Sequence, residues 1–283
     1  MTHPSLLVTT STAVLLVEGN GPRTIHTGCG IYFGLTWDRD FIYILCRNNL
    51  GHGKLRRIFG YTVTIEILDK SFRQVDSVRC PSIHDPHQAI ARNGSIYVAN
   101  TGRDRIEIYN NNRFSSINWT GEQKDVHHIN TIGFDESFFY VLENNKQQRS
   151  MVKVFDLNWQ PVQDVSLGLG AHNIFRQAQA LYVCSSLDRA MVRYDLDTKE
   201  MMKFPLLGRK WLPRGLAKGN NRFYIGLSAE GTRQERHGRL SGKLISTNED
   251  FEIIDTTDLE GAGQVNEVRL ISELDAAHNE VPF

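Results

Sequence analysis

Three histidines and one arginine occupy similar places in consecutive segments of the chain. They are His87, His128, His172 and Arg214, each at or near the start of a run of alternating apolar and polar residues. Neutral imidazole nitrogens are common ligands of zinc, and three of them with one open position describe a catalytic metal site. A metal held in this way acidifies a bound water or polarises a carbonyl group. The chemistry predicted from these residues is therefore hydrolysis or elimination.

Charged residues next to this column have roles in the same scheme. Asp85, Asp125 and His127 adjoin the predicted ligands in sequence, where each could accept the second N–H of an imidazole and orient its ring. Arg214 could neutralise a substrate carboxylate or a developing oxyanion. We therefore predict that His87, His128 and His172 hold a divalent ion, with Arg214, Asp85 and His127 as catalytic residues. Zinc is the first choice, with iron or calcium as alternatives. The alternative is that each histidine only hydrogen-bonds a neighbouring strand and serves the fold.

The segments that carry these residues align on a tyrosine. Each consists of a strand, a tight polar turn and a second strand, and the turns are rich in Asn, Asp or Gly, as hairpins require. Further alternating runs, such as RIEIYN at 105 and RFSSINW at 113, supply a third and a fourth strand. A four-stranded unit that recurs every 40 to 50 residues or so is typical of a propeller blade. The aligned tyrosines, which we expect to pack between blades, are Tyr43, Tyr97, Tyr140, Tyr182 and Tyr224.

Five such units leave both chain ends without partners. The run QVNEVRLI at 264 lacks a hairpin mate, whereas the N-terminal runs LLVTT and AVLLVE lack an inner strand. If the ends share one blade, no sheet edge stays open. The sequence therefore predicts one all-β domain over residues 1–283. This domain is a six-bladed β-propeller with four-stranded blades, closed by the N- and C-terminal segments, and a five-bladed ring is the alternative.

Composition excludes other classes. The chain has 32 Lys and Arg against 32 Asp and Glu, so no overall field attracts nucleic acid, and we expect no nucleic-acid partner. The apolar N-terminal segment is too short to span a bilayer and lacks the basic region of a signal peptide, so we expect no membrane association and a cytoplasmic location. The four cysteines form no closely spaced pair, which favours reduced thiols over a structural zinc site.

Residues 85–109, DPHQAIARNGSIYVANTGRDRIEIY, resemble one blade of the NHL-repeat propellers. The shared features are Asp-Pro-His, a turn, a strand that ends in Asn, and a Thr-Gly-x-x-Arg loop. The resemblance covers most of the chain as architecture and about one blade as sequence. Enzymes of this superfamily include the peptidylglycine amidating lyase and the gluconolactonase and strictosidine-synthase-like hydrolases.

The resemblance also implies a site. In the amidating lyase, histidines at the starts of inner strands hold a channel zinc, which implies His87, His128 and His172 here. The lyase takes them from alternate blades, whereas these come from consecutive ones. The gluconolactonase pattern would instead fall on Asn130, Asn173 and Glu267. We thus predict a metal-dependent lyase or hydrolase acting on a small polar molecule in the central channel. The alternative is a non-enzymatic propeller that binds a protein partner through loops such as the Arg-rich segment 232–243.

Overall fold

The computed structural model describes residues 4–28, 30–48, 62–219, 221–232, 235 and 240–283. These residues form six four-stranded antiparallel sheets, and the inner strand of each sheet contacts the inner strands of its two neighbours around a central channel. The predicted six-bladed, four-stranded propeller is therefore confirmed, and the five-bladed alternative is wrong.

The blades are numbered from the one that contains the N-terminus. Blade 1 contains β1 (Leu6–Thr10), β2 (Ala13–Glu18) and β3 (Gly21–Thr27), with β24 (Val265–Leu270) as its inner strand. Blade 2 contains β4 (Ile31–Trp37), β5 (Ile42–Asn48), β6 (Thr62–Leu68) and β7 (Gln74–Arg79). Blade 3 contains β8 (Pro86–Arg92), β9 (Ser95–Asn100), β10 (Arg105–Asn110) and β11 (Arg113–Ile117), with a short 3-10 helix at Thr101–Arg103.

The remaining three blades follow the same order, from the inner strand outward. Blade 4 contains β12 (Ile129–Phe134), β13 (Phe138–Glu143), β14 (Arg149–Asp156) and β15 (Pro161–Leu169). Blade 5 contains β16 (Ala171–Gln177), β17 (Ala180–Ser185), β18 (Ala190–Asp195) and β19 (Met201–Pro205). Blade 6 contains β20 (Trp211–Gly219), β21 (Arg222–Ala229), β22 (Gly242–Thr247) and β23 (Ile253–Leu259).

The chain ends close the ring as the sequence predicts. Strand β24 pairs antiparallel with β1, placing Val268 opposite Val8. The backbone N–H of Ser11 also donates to the carbonyl of Gln264 at 2.9 Å. Because the last strand of the chain is the inner strand of the first blade, the ring is joined by a full ladder of backbone hydrogen bonds.

Apolar clusters between neighbouring blades form the core. All five aligned tyrosines belong to or pack against these clusters, as expected. The three cysteines that the structure describes, Cys46, Cys80 and Cys184, are buried and form no disulfide, while Cys29 lies outside the described residues. Burial raises the pKa of the Cys80 thiol to about 12. No helix among the described residues is long and apolar enough to cross a membrane.

The C-terminal segment, residues 271–283, covers the channel where the inner strands end. The backbone N–H of Ala276 donates to the carbonyl of Lys218 in blade 6, and the indole of Trp37 in blade 2 donates to the carbonyl of Val281. The side chain of Asn279 donates to the carbonyl of Phe134 in blade 4. These contacts span the channel, so the segment forms a floor and leaves the opposite end as the mouth.

Candidate functional site

An irregularity recurs at the same level of every inner strand. Where each inner strand pairs with the next strand of its blade, the register shifts by one residue near the channel mouth. A regular strand points successive side chains to opposite faces, whereas a bulge re-aims a side chain. As a result, consecutive residues such as His87 and Gln88, or His172 and Asn173, line the same narrow slot.

Two rings of residues result from these bulges. In the five blades with an aligned tyrosine, the first-ring residue precedes that tyrosine by ten positions, as His87 precedes Tyr97 and Asn130 precedes Tyr140. In blade 1 the equivalent residue is the extra one at the register shift. The first ring consists of Phe33, His87, Asn130, His172, Arg214 and Asn266. The second ring consists of the residues that follow them: Gly34, Gln88, Thr131, Asn173, Gly215 and Glu267.

The first ring contains three of the four residues of the predicted column. His87, His172 and Arg214 occupy it, whereas His128 lies two residues earlier, at the channel mouth, and Asn130 holds the equivalent position. The constant ten-residue spacing to the tyrosine is a sequence signal that identifies Asn130. The adjacent His127 and His128, just before the inner strand of blade 4, led to the prediction of His128 at this position instead of Asn130.

The second ring is joined across the channel by hydrogen bonds. The buried Glu267 accepts from Gln88 Nε2 at 2.8 Å and from Asn173 Nδ2 at 2.9 Å. The amide oxygen of Asn173 accepts from the backbone N–H of Gly215, and that of Gln88 accepts from the backbone N–H of Ile132. Both carboxylate oxygens of Glu267 are thus engaged within the protein.

A cavity of about 220 Å³ lies above the first ring, at the channel mouth. Below, it narrows to a slot of about 10 Å³, enough for a single water. Both spaces are lined by Phe33, His87, Arg214 and Asn266. The wall of the mouth adds residues from blades 1 to 4 and the loops before them: Ser11, Ile31, Arg47, Asp85, Asp125, His128 and Gln264.

The hydrogen bonds of His87 determine which of its nitrogens carries the proton. Its Nδ1 lies 2.8 Å from the hydroxyl oxygen of Thr101 and 3.3 Å from the carbonyl oxygen of Asp85. Because the Thr101 hydroxyl donates its own proton to the carbonyl of Ile129, both neighbours of Nδ1 act as acceptors. Neutral His87 therefore carries its proton on Nδ1 and has a lone pair on Nε2.

Electrostatics keep His87 neutral. Burial lowers its pKa well below the usual value, and the positive charges of His128, Arg214 and Arg47 lower it further, against the opposing charge of Asp125. Nε2 has no hydrogen-bond partner among the described residues. The cavity wall thus contains an unprotonated imidazole nitrogen at neutral pH.

His128 is paired with an ionised carboxylate. Its Nδ1 lies 3.1 Å from one oxygen of Asp125 and 3.2 Å from the other. Burial alone would raise the pKa of Asp125, but the hydrogen bond from His128 and the charges of His128 and Lys146 lower it below the usual value. His128 also has a left-handed backbone, with φ of 58°, an uncommon conformation that is frequent at functional sites. The predicted orienting role of Asp125 agrees with this geometry.

His172 has the opposite arrangement. The side-chain amide of Asn130 donates one N–H to the carbonyl of Ala171 and the other to Nδ1 of His172, at 3.0 Å. Because Nδ1 accepts, the proton of His172 lies on Nε2, and this nitrogen is a donor.

Two of the residues predicted to be catalytic have other partners. The carboxylate of Asp85 pairs with the guanidinium of Arg47, which lies over the ring of Phe33, and it is the backbone carbonyl of Asp85 that approaches His87. His127 bonds through Nδ1 to the buried Asp104 at 2.9 Å and does not line the cavity. Arg47 is a site residue that sequence reasoning missed, because it lies on a second strand without a motif around it.

The three histidines come together without forming a preassembled set of metal ligands. Their rings lie 5.1 Å (His87 to His128) and 6.4 Å (His87 to His172) apart between centroids. Their ligand nitrogens, however, do not all lie within 4.8 Å of one another, as the ligand atoms of one metal site would. The hydrogen bond from Asn130 also makes Nε2 of His172 a donor. Metal binding by this set stays a prediction.

A different group in the described part of the chain does meet that distance criterion: Asp275, His278 and Glu280, in the C-terminal segment. The oxygens of Asp275 already accept from the N–H groups of Lys218, Leu270 and Ala277 and lie next to Nδ1 of His278. Glu280 pairs with the buried Arg269. These contacts fix the segment over the channel, which explains the cluster as part of the fold.

Neither a protein-family model nor a curated protein matches this sequence. Solved structures do match. A protein of unknown function from Bacteroides caccae has a TM-score of 0.67 at 14% identity, over 95% of this chain and 100% of that chain. A chain from the crystal structure of the nidogen/laminin complex has a TM-score of 0.67 at 11% identity, over 94% of this chain and 97% of that chain. At such identities the likeness shows the propeller fold alone.

Proposed function

We propose that the cavity is the active site of a hydrolase or lyase that acts on a small polar molecule, with His87 as the general base. The observation that carries the proposal is the fixed Nδ1–H of His87, which leaves the lone pair of Nε2 on the cavity wall. A general base must be unprotonated at the working pH, and burial beside cationic groups keeps His87 in that form.

His128 has the complementary role of general acid. The carboxylate of Asp125 lies 3.1 and 3.2 Å from its Nδ1 through its two oxygens and orients the ring, as carboxylates do next to catalytic histidines. The two rings lie 5.1 Å apart, close enough for both to act on one small substrate. Arg214 lines the same cavity and supplies positive charge where an oxyanion would develop.

The proposal is tested with His87→Asn and His128→Asn, each assayed against panels of small esters, lactones and hydroxy compounds. Loss of one acid–base group costs about 10²- to 10⁴-fold in rate, so each variant should lose nearly all turnover. His84→Asn is the matched control, because His84 is exposed and does not line the cavity. Wild-type turnover in His87→Asn would contradict the assignment.

The metal-dependent form of this function requires a separate measurement. An ion at this site would be held by Nε2 of His87 and of His128, and it would supply an acidified water. Elemental analysis of the purified wild type, compared with His87→Asn and His128→Asn, tests it. Stoichiometric metal that both variants lose supports the metal-dependent form. Absence of metal from an active wild type leaves acid–base catalysis by the two histidines alone.

A second candidate function is binding of a protein partner. The observation in its favour is a groove of about 760 Å³ between blades 2 and 3 and the C-terminal segment, edged by the exposed side chains of Phe41, Val75 and Val281. Half of the Arg-rich segment 232–243 that first motivated this alternative lies outside the described residues. Replacing Phe41 and Val75 with Ser, and separately deleting residues 232–240, which precede β22, should abolish partner binding without changing the channel. An unchanged affinity for the partner in both variants would rule this candidate out.

A further inference from the structure

The groove of about 760 Å³ lies on the same face of the ring as the C-terminal segment, away from the histidine cavity. Strands and turns of blades 2 and 3 form two of its walls, and the end of the C-terminal segment forms the third. Its volume falls within the range of roughly 300 to 1,000 Å³ that is typical of small-molecule sites, which combine apolar walls with a few polar groups. The apolar wall includes Phe41, Tyr43, Ile67, Val75, Ile96 and Phe283.

Arg92, at the end of β8, is a cation in the wall of this groove. Its guanidinium carbon lies 4.6 Å from the ring centroid of Phe134 and 4.8 Å from that of Phe139. Within the described part of the chain it forms no ion pair and no hydrogen bond, and its Nη1 is buried without a partner. Contact with aromatic faces leaves the N–H groups in the guanidinium plane available to an acceptor. Arg92 is therefore a fixed donor without an acceptor among these residues.

The acidic side chains of the groove do not neutralise Arg92. They are Asp38, Asp76 and Glu280. Asp38 accepts from two backbone N–H groups and from the hydroxyl of a neighbouring tyrosine, so both of its oxygens are engaged. Glu280 pairs with the buried Arg269, and Asp76 is exposed. The positive charge of Arg92 is thus left for an anionic ligand to offset.

The remaining charges of the groove determine which anion fits. Arg39 and Lys70 also line it, and neither forms an ion pair among the described residues. One negative charge on a ligand is attracted by these two cations and by Arg92. A second negative charge would add repulsion from the two exposed acids. A carboxylate carries a single charge, and its two oxygens match the N–H fork of a guanidinium.

We infer that the groove binds a small amphipathic carboxylate, whose charged end accepts from Arg92 and whose apolar body packs on Phe41 and Val75. These two side chains are 37% and 52% exposed, so a bound apolar body would remove their surface from water. The inference goes beyond the proposed function, because the groove and the histidine cavity are separate sites. The occupant is a free small molecule, whereas the second candidate function places a partner protein at the same edge.

Four compounds with the same apolar body and different head groups test the inference. They are 4-phenylbutyrate, 4-phenylbutan-1-ol, 4-phenylbutylamine and 4-phenylbutyl phosphate. Affinities are measured by ligand-observed NMR titration at pH 7 and one ionic strength. The carboxylate should bind at least about tenfold more tightly than the alcohol, as a hydrogen bond to a charged group predicts, and the amine should bind most weakly. The phosphate should bind no more tightly than the carboxylate.

Variants assign the preference to Arg92. Arg92→Gln should bind the acid and the alcohol with equal affinity, whereas Arg92→Lys keeps the charge without the fork and should retain part of the preference. Phe41→Ser should weaken the binding of both compounds alike. Arg193→Gln is the control, because Arg193 lies in blade 5 outside the groove and pairs with Asp195. Circular dichroism verifies that each variant is folded.

Four results would overturn the inference. They are equal affinity of the wild type for the acid and the alcohol, a preference for the acid that Arg92→Gln retains, tighter binding of the phosphate than of the carboxylate, and no binding of the acid at several millimolar. His87→Asn separates these outcomes from a failure of the proposed function. This variant should bind 4-phenylbutyrate as tightly as the wild type, whatever its turnover, and a loss of binding would place the acid in the histidine cavity instead.

Discussion

The chemistry proposed for His87 depends on Thr101, a residue that does not line the cavity. The Thr101 hydroxyl donates to the Ile129 carbonyl and accepts from Nδ1 of His87. It thereby connects blade 3 to blade 4 and directs the lone pair of the imidazole to the channel. A hydroxyl group can make both hydrogen bonds at position 101 because it donates one and accepts the other.

Thr101→Val tests this arrangement with a side chain of the same shape. Without the hydroxyl, Nδ1 of His87 keeps only the longer contact to the Asp85 carbonyl, so the fraction of Nδ1–H tautomer should fall and turnover with it. Loss of buried hydrogen bonds should also lower the free energy of unfolding by about 1–2 kcal/mol. Imidazole ¹⁵N shifts and urea unfolding measure the two effects. Thr256→Val on the exposed face of β23 is the control, and an unchanged tautomer ratio in Thr101→Val would refute the coupling.

The roles of single residues were only partly accessible from sequence. Residue type and repeat position identified His87, His172 and Arg214 as channel residues, because inner-strand positions converge in a ring. Whether each histidine donates or accepts depends on Thr101, Asp125 and Asn130, which come from loops and neighbouring blades. Such contacts depend on the packing of the blades and leave no local pattern in the chain.

At the scale of the strands, hairpins were predictable and bulges were not. Turn residues and alternating runs predict the strand pairs, because they act over a few neighbouring residues. The bulges arise where inner strands meet around a narrow channel, and they depend on close approaches between blades. At Gly34, a Cβ would lie 2.4 Å from the backbone nitrogen of Ala89 in blade 3. The glycine is therefore required by the neighbouring blade.

Gly34→Ala should be destabilising for this reason. The added methyl group meets backbone atoms of β8, which cannot move aside as a side chain can. Overpacking of this kind costs about 1–3 kcal/mol or more, and it would displace His87 next to the contact. Gly133→Ala is the matched control on an inner strand, because its Cβ would meet only Ile174, at 3.3 Å or beyond. Equal urea midpoints for the two variants would contradict the close-packing argument.

The hairpin of blade 4 gives a stability prediction with a defined pH dependence. Asp135 accepts from the backbone N–H groups of Ser137 and Phe138 and from the hydroxyl of Tyr140, with Arg176 beside it. Burial would raise the pKa of Asp135, but these hydrogen bonds and the charge of Arg176 lower it below the usual value. Its ionised form therefore stabilises the fold above the unfolded-state pKa of about 3.9, and this contribution is lost as pH falls through the folded-state pKa.

Asp135→Asn should accordingly lower the free energy of unfolding at pH 7 by about 1.5 kcal/mol, the lower end for hydrogen bonds to a charged group. The difference from wild type should shrink as the pH is lowered toward 3, where the wild-type carboxyl becomes protonated. Urea unfolding at several pH values measures it. Asp197→Asn, in an exposed turn of blade 5, is the control. A difference that grows on acidification would show that the sign is wrong.

At the scale of the whole molecule, both chain ends serve the channel. An N-terminal segment supplies three strands of blade 1 and a C-terminal segment supplies its inner strand, so both are needed to complete this blade. The segment after that strand then covers the channel floor. Asp275 in this segment accepts from the backbone N–H groups of Lys218 and Leu270, and Glu280 pairs with Arg269. The cavity is consequently a blind pocket with its mouth at the histidine end.

Removing residues 273–283 should therefore weaken the ring and open the channel at its floor. Arg269 is fully buried and would lose the carboxylate of Glu280, and the indole of Trp37 would lose its acceptor at Val281. Breaking a buried ion pair by removing one partner costs about 3–5 kcal/mol, which urea unfolding would detect.

Glu280→Gln is the control for the truncation. This variant keeps the C-terminal segment and removes only the charge, so it separates the effect of the ion pair from that of the floor. If the floor matters for the site, only the truncated chain should lose turnover, because water then enters the slot from below. An unfolding midpoint equal to that of the full chain would show that the segment adds nothing to the closure of the ring.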